Sequence, residues 1–113
     1  MNKIEAIIRP EKLDIVKQAL AAEGFVGLNV TNIVGRGQQK GITHVGRAGE
    51  RHEVDMLPKV KLELVVDDAA TEQVIRIITS KASTGSIGDG KIFIIPVSDA
   101  IRVRTGERGE SVL

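Results

Sequence analysis

The residues best suited to chemistry lie in Gly85-Ser86-Ile87-Gly88-Asp89-Gly90-Lys91, a glycine loop that ends in a cation. The spacing matches G-x-x-x-x-G-K, in which backbone N–H groups cradle phosphate oxygens and the lysine reaches the terminal phosphates. The next residue is Ile92, where that motif needs a Ser or Thr hydroxyl for magnesium. Residues 91–97 read as a strand, so no helix N-terminus faces the anion. A nucleotide hydrolase of that type is therefore disfavoured, while anion binding by the backbone around Gly88 and Gly90 with the Lys91 ammonium stands. Arg102 and Arg104 sit two apart, so on an extended segment both guanidinium groups point the same way, as a polyphosphate would require. Taken alone, the pair is more simply a solvated edge.

Other patterns carry less. Gly35-Arg36-Gly37-Gln38-Gln39-Lys40-Gly41 has G-x-G-x-x-K rather than G-x-G-x-x-G and no helix after it, so a dinucleotide-binding reading fails. His44 and His52 are not spaced as a convincing metal pair and read as surface histidines. Asp67-Asp68 reads as a helix cap rather than an acid–base pair. No Ser–His–Asp arrangement stands out.

Composition removes further classes. The chain has 113 residues, enough for one domain that buries roughly two-thirds of its unfolded surface. A net charge of +1 argues against partners bound by bulk charge, such as non-specific DNA or an anionic membrane. With no Cys there is no disulfide framework, thiolate zinc site or cysteine nucleophile, which fits a reducing cytosol. Two Phe and no Tyr or Trp leave no platform for base stacking, so nucleic acid is not an expected partner. No signal peptide is visible, and no apolar run approaches the roughly 20 residues of a membrane span. The expected location is the cytoplasm.

The elements that must position these residues emerge from periodicity. Ile4, Ala6 and Ile8 alternate on one face of a first strand. Pro10 opens a helix carrying Leu13, Val16 and Leu20, with Gly24 as its stop. Residues 25–34 return to strand composition. From about Arg36 to Val54 periodicity vanishes, and some 19 residues read as a loop without structure of its own, a recognition arm rather than core. Val60, Leu62, Leu64 and Val66 alternate on the next strand, with Lys59 and Val65 on its opposite face. A helix with Val74, Ile77 and Ile78 on one stripe comes next, then the glycine loop and an apolar strand over 91–97. Residues 100–104 are a candidate short last strand. Two βαβ halves make an α+β, ferredoxin-like (βαββαβ) single domain over 1–113. The two helices would cover one sheet face, and the apolar 91–97 strand suggests that other copies of the chain bury the second.

Taken together, these segments resemble the nitrogen-regulatory PII signal-transduction proteins over nearly the whole chain. The resemblance rests on the Lys3–Pro10 and Gly35–Gly41 blocks, on Leu57-Pro58-Lys59-Val60-Lys61, on Thr84–Phe93 with its Thr-Gly-x-Ile-Gly-Asp-Gly-Lys-Ile-Phe order, and on Arg102-Val103-Arg104-Thr105-Gly106-Glu107. It implies a compact homotrimer that binds ATP or ADP in clefts between subunits, with 2-oxoglutarate beside ATP and Mg2+. By the resemblance, Gly37, Gln38, Gly88, Asp89, Gly90 and Lys91 belong to the nucleotide site, and Arg102 and Arg104 close on the phosphates across the subunit boundary. Ile7, Gly35 and Val65 would line the adenine. Gln39, Lys40, Gly41, Lys59 and Gly88 would hold 2-oxoglutarate, with Lys59 neutralising a carboxylate and the Gln39 amide oxygen completing the magnesium shell. The long loop (about 36–54, the T-loop of that family) would dock on an ammonium transporter or a nitrogen-assimilation enzyme, so that a membrane is met only through a transporter. A C-terminal loop would span about 102–113.

Three positions depart from the family pattern. Gln38 stands where many members carry an arginine, Ser86 where lysine is common, and Arg51 where many bacterial members carry the loop tyrosine that is nucleotidylated. The loop is one residue longer, around Glu50-Arg51-His52-Glu53, and its only hydroxyl is Thr43. No covalent switch on tyrosine is expected. The implied function is a non-catalytic sensor of ATP/ADP and 2-oxoglutarate. The alternatives are a related sensor of another metabolite, or a phosphoryl-transfer enzyme built on the 85–91 loop.

Overall fold

A computed structural model describes residues 1–37, 43–45, 51–53 and 56–113. Strand β1 (Asn2–Ile8) leads through a 3-10 turn at Pro10–Lys12 into α1 (Leu13–Ala22), then β2 (Asn29–Gly35). Short strands β3 (Thr43–Val45) and β4 (Arg51–Glu53) precede β5 (Leu57–Val66), α2 (Asp68–Ala82) and β6 (Lys91–Pro96). The main sheet runs β2-β5-β1-β6 with every pair antiparallel, the strand order of a ferredoxin-like fold.

The alternation sets the core. Ile4, Ala6 and Ile8 of β1 and Val60, Leu62, Leu64 and Val66 of β5 are buried under Val16 and Leu20 of α1 and Val74 and Ile78 of α2. Asp67 caps α2: its carboxylate accepts the Ala70 amide at 2.8 Å. Asp68, the other cap candidate, instead accepts from the N-terminal ammonium at 3.0 Å and from the Asn2 side-chain Nδ2 at 3.1 Å. Replacing Asp67 with Ala is expected to lose about 1 kcal/mol. Thermal melting should show this as a fall of roughly 4 °C or more.

Three local expectations need correction. The strand expected over 25–34 begins only at Asn29, because Gly24 (φ 89°) and Phe25 close α1 instead. Their amides donate to the Ala21 and Leu20 carbonyls at 3.0 and 2.9 Å, a Schellman closure, and Phe25 then packs against the core. The last strand expected over 100–104 is reduced to one bridge between Ile101 and Arg108. There the Arg102 amide donates to the Glu107 carbonyl at 2.8 Å and its carbonyl accepts the Gly106 amide at 2.7 Å, which turns the chain back. The long central loop is not wholly without structure: β3 and β4 pair antiparallel in a separate ribbon, with Thr43 opposite Glu53, His44 opposite His52 and Val45 opposite Arg51.

The sheet face away from the helices carries a charge network. Lys3 lies 3.1 Å from Glu63, and Lys61 lies 3.3 Å from Glu63 and 3.8 Å from Glu5. Hydrogen bonding from Lys3, with help from Lys61, holds the Glu63 carboxyl below the usual range, and the same contact raises Lys3. Beside the network on this face, β6 presents Phe93 and Ile95, both exposed; Ile94, on the helix side, is exposed as well.

Candidate functional site

Strand β1 ends where β6 begins, with Ile7 paired to Lys91, and the glycine loop arrives at that point. Gly90 has φ 102°, and a Cβ there would lie 1.7 Å from the Ile7 carbonyl oxygen. Only glycine lets the loop lie this close to the central strand. The loop's other end is organised by Asp89. One carboxylate oxygen accepts the Thr84 and Gly85 amides at 2.7 and 2.9 Å, and the other accepts the Thr84 hydroxyl and Arg9 Nε. The Arg9 guanidinium also donates to the Ile87 carbonyl at 3.0 Å. These bonds, those from Thr84 foremost, hold the Asp89 carboxyl far below the usual carboxylate range.

Against this loop opens a cavity of about 590 Å³. It is lined by Ile7, Ile33, Gly35, Arg36, Gly37, Leu57, Lys59, Phe93 and the loop from Ser86 to Lys91. The Lys59 ammonium donates to the Gly88 carbonyl, tying β5 to the loop. Burial, with the Arg9 cation nearby, holds Lys59 below the usual lysine value. Lys59, Lys91 and Arg36 thus meet a glycine loop in one concavity, an arrangement that suits a polyanion.

The structure sorts the expected site residues. Ile7, Gly35, Gly37, Lys59, Gly88, Asp89, Gly90 and Lys91 come together around this cavity. Val65 shares the face of Lys59, as its parity requires, but lines a separate cavity of about 300 Å³ with Lys3, Gly27, Leu28, Asn29, Glu63 and Leu64. Arg102 and Arg104 line neither cavity, and they sit in a turn rather than on an extended strand, with Arg102 paired to Glu107 at 3.2 Å. Gln38, Gln39, Lys40 and Gly41 lie outside the described residues. Ile92, on the helix side of β6, packs against the core, so no side chain at that position reaches a metal on the loop. Two cations at the site, Arg9 and Arg36, are not singled out as site residues by the sequence, where they stand only within the Lys3–Pro10 and Gly35–Gly41 blocks.

The fold and the site define a small ferredoxin-like domain whose glycine loop lines a cavity at one edge of its sheet. Residues 1–107 match the family model described as nitrogen regulatory protein P-II. The chain is 56% identical over 109 residues, 96% of each chain, to "Nitrogen regulatory protein P-II" of Rhodospirillum rubrum. It is 55% identical over the full length of both chains to the protein of that name from Cereibacter sphaeroides. It is also 50% identical over 113 residues to "Nitrogen regulatory protein P-II 2" of Methanothermobacter thermautotrophicus, covering 97% of that protein. The chain belongs to the nitrogen regulatory protein P-II family, whose members are non-catalytic signalling proteins acting on partners in nitrogen metabolism. Among the described residues, no helix is long and apolar enough to cross a membrane.

Proposed function

We propose that this chain senses ATP or ADP together with 2-oxoglutarate and passes the result to a nitrogen-assimilation enzyme or an ammonium transporter through its central loop. The observation that carries the reading is the 590 Å³ cavity, whose wall joins the glycine loop to Lys59 and Lys91. Gly88, Gly90 and Lys91 would hold phosphates, and Lys59 a carboxylate of the oxoacid. The Gln39 amide would complete the coordination of Mg2+. Because Val65 lies in a different cavity from Ile7 and Gly35, one chain does not gather the whole expected adenine lining. Arg102 and Arg104 likewise do not line the cavity whose phosphates they would serve. Both observations favour a cleft completed by a neighbouring subunit, in a homotrimer whose contacts also cover the exposed Phe93 and Ile95.

The deciding experiment is titration calorimetry with ATP, Mg2+ and 2-oxoglutarate. Replacing Lys59 with Met is expected to weaken the oxoacid by about tenfold to a hundredfold, the loss of a charge-assisted bond, and to leave ATP within about threefold. Lys59 keeps its charge below its depressed pKa, so oxoacid affinity should hold near neutral pH and fall on alkalinisation earlier than an ordinary lysine would give. Undetectable oxoacid binding by the unmodified protein, or no change in the Met variant, overturns the reading.

A further inference from the structure

Arg9 does not line the glycine-loop cavity, yet it holds the stretch of loop that does. Its Nε donates to the Asp89 carboxylate at 3.1 Å and its Nη2 to the Ile87 carbonyl at 3.0 Å. Gly88 lies between those two anchors with φ 102°, and its carbonyl is the one that accepts from Lys59. A glycine has no side chain to restrict its backbone, so in an untethered loop it would sample many other conformations. Fixing the residues on either side removes that freedom. We infer that Arg9 is a positioning residue of this site: by clamping Ile87 and Asp89 it sets Gly88 where Lys59 and a bound anion meet the loop.

The arginine is itself well fixed. Pro10 after it favours an extended backbone, here φ −64° and ψ 139°, and the Arg9 carbonyl accepts the Lys12 amide at 3.0 Å. The Arg9 side chain is 16% exposed and that of Asp89 22%, so water screens this pair less than it would a surface ion pair. The planar guanidinium offers its donors in a fixed fork, which a lysine ammonium does not reproduce. Its charge also bears on Lys59. Burial first, then the Arg9 cation, holds that ammonium below the usual lysine value, while Glu11 of the 3-10 turn and Asp89 act in the opposite sense. Arg36 and Lys91 line the same cavity. The clamp therefore has two separable parts, hydrogen bonds that order the loop and a charge that tunes Lys59. Only the ligand arm of its test rests on the proposed nucleotide reading.

The test compares Arg9→Lys, which keeps the charge but not the fork, with Arg9→Gln, which keeps neither. Hydrogen exchange at the Thr84 and Gly85 amides, both accepted by Asp89, should quicken by about tenfold in each variant. Exchange at the buried Leu62 and Leu64 of β5 should stay unchanged. The Lys59 ammonium, followed by nuclear magnetic resonance in the ligand-free protein, should titrate at higher pH in the Gln variant and as in the unmodified protein in the Lys variant. ATP affinity by calorimetry should fall by about threefold to tenfold in both. Unchanged loop exchange in either variant overturns the clamp. Equal quickening at Leu62 and Leu64 overturns it too, by making Arg9 a general stabiliser, as does a Lys59 titration that the Gln variant leaves in place. Lost ATP affinity with unchanged exchange would instead make Arg9 a direct ligand contact. If ATP does not bind the unmodified protein, the nucleotide reading falls, while exchange and titration still decide the clamp.

Discussion

Gly90→Ala is expected to be among the most damaging single-methyl changes this chain can suffer. The added carbon would lie 1.7 Å from the Ile7 carbonyl oxygen, 2.8 Å from the Ile7 carbonyl carbon and 3.3 Å from Ile8 Cα. All three atoms are backbone of the central strand β1, so no side chain can swing aside. Relief requires β6 to part from β1 at the Ile7–Lys91 pair. Left-handed strain at φ 102° adds to the overlap, for a total of about 3 kcal/mol or more. Thermal melting should drop by roughly 10 °C or more, and any ligand of the loop should be lost with it. Gly85→Ala is the control: it has a similar φ of 84° but nothing within 4 Å of the added carbon, so it bears conformational strain alone. A melting temperature for Gly90→Ala equal to that of Gly85→Ala would refute the close approach.

The second large effect is expected at Asp89, through the acceptor count of its side chain. Each carboxylate oxygen receives two donors: one the Thr84 hydroxyl and Arg9, the other the Thr84 and Gly85 amides. Asparagine has one acceptor oxygen and one NH2 group, so in either orientation two donors face a donor. Asp89→Asn should therefore release the Thr84–Gly85 end of the loop. Hydrogen exchange at those two amides is expected to quicken by about tenfold to a hundredfold, with a comparable loss of ATP affinity, while exchange in the core strands stays unchanged. The native carboxyl titrates far below its unfolded value of about 3.9. Its stabilising bonds are thus complete above that value and fade only as the pH falls below it. Protection of Thr84 and Gly85, corrected for intrinsic exchange, should be the same at pH 7 and pH 5. Protection lost already between those values, or unchanged in the Asn variant, would show that the carboxylate does not hold the loop.

Much of the fold was legible in the sequence because its signals are local. Period-two alternation at Ile4–Ile8 and Val60–Val66 named the buried faces of the two central strands, and the helical stripes of Val16, Leu20, Val74 and Ile78 named what covers them. The glycine loop was legible for the same reason, since its order Gly-Asp-Gly-Lys is contiguous. What misled were segments whose backbone groups had a choice of partner. Phe25 looked like strand by composition, but its amide is taken by Leu20 in closing α1. Arg102 looked extended, but both its amide and its carbonyl are taken by the turn to Gly106 and Glu107.

By itself the sequence determined the order of the two helices and the four strands of the main sheet, the core-facing residues, the glycine loop and membership of the P-II family. Each is a matter of residue type at a short, regular spacing. Tertiary structure alone decided that Asp89 turns its carboxylate inward to hold the loop, with Arg9 from the far end of the chain as partner. It also decided that Val65 and Ile7 line separate cavities, and that His44 stands opposite His52. The physical reason is common to all three: side-chain pattern specifies which face of an element is buried, whereas which residue stands across from it depends on register between segments distant in the chain.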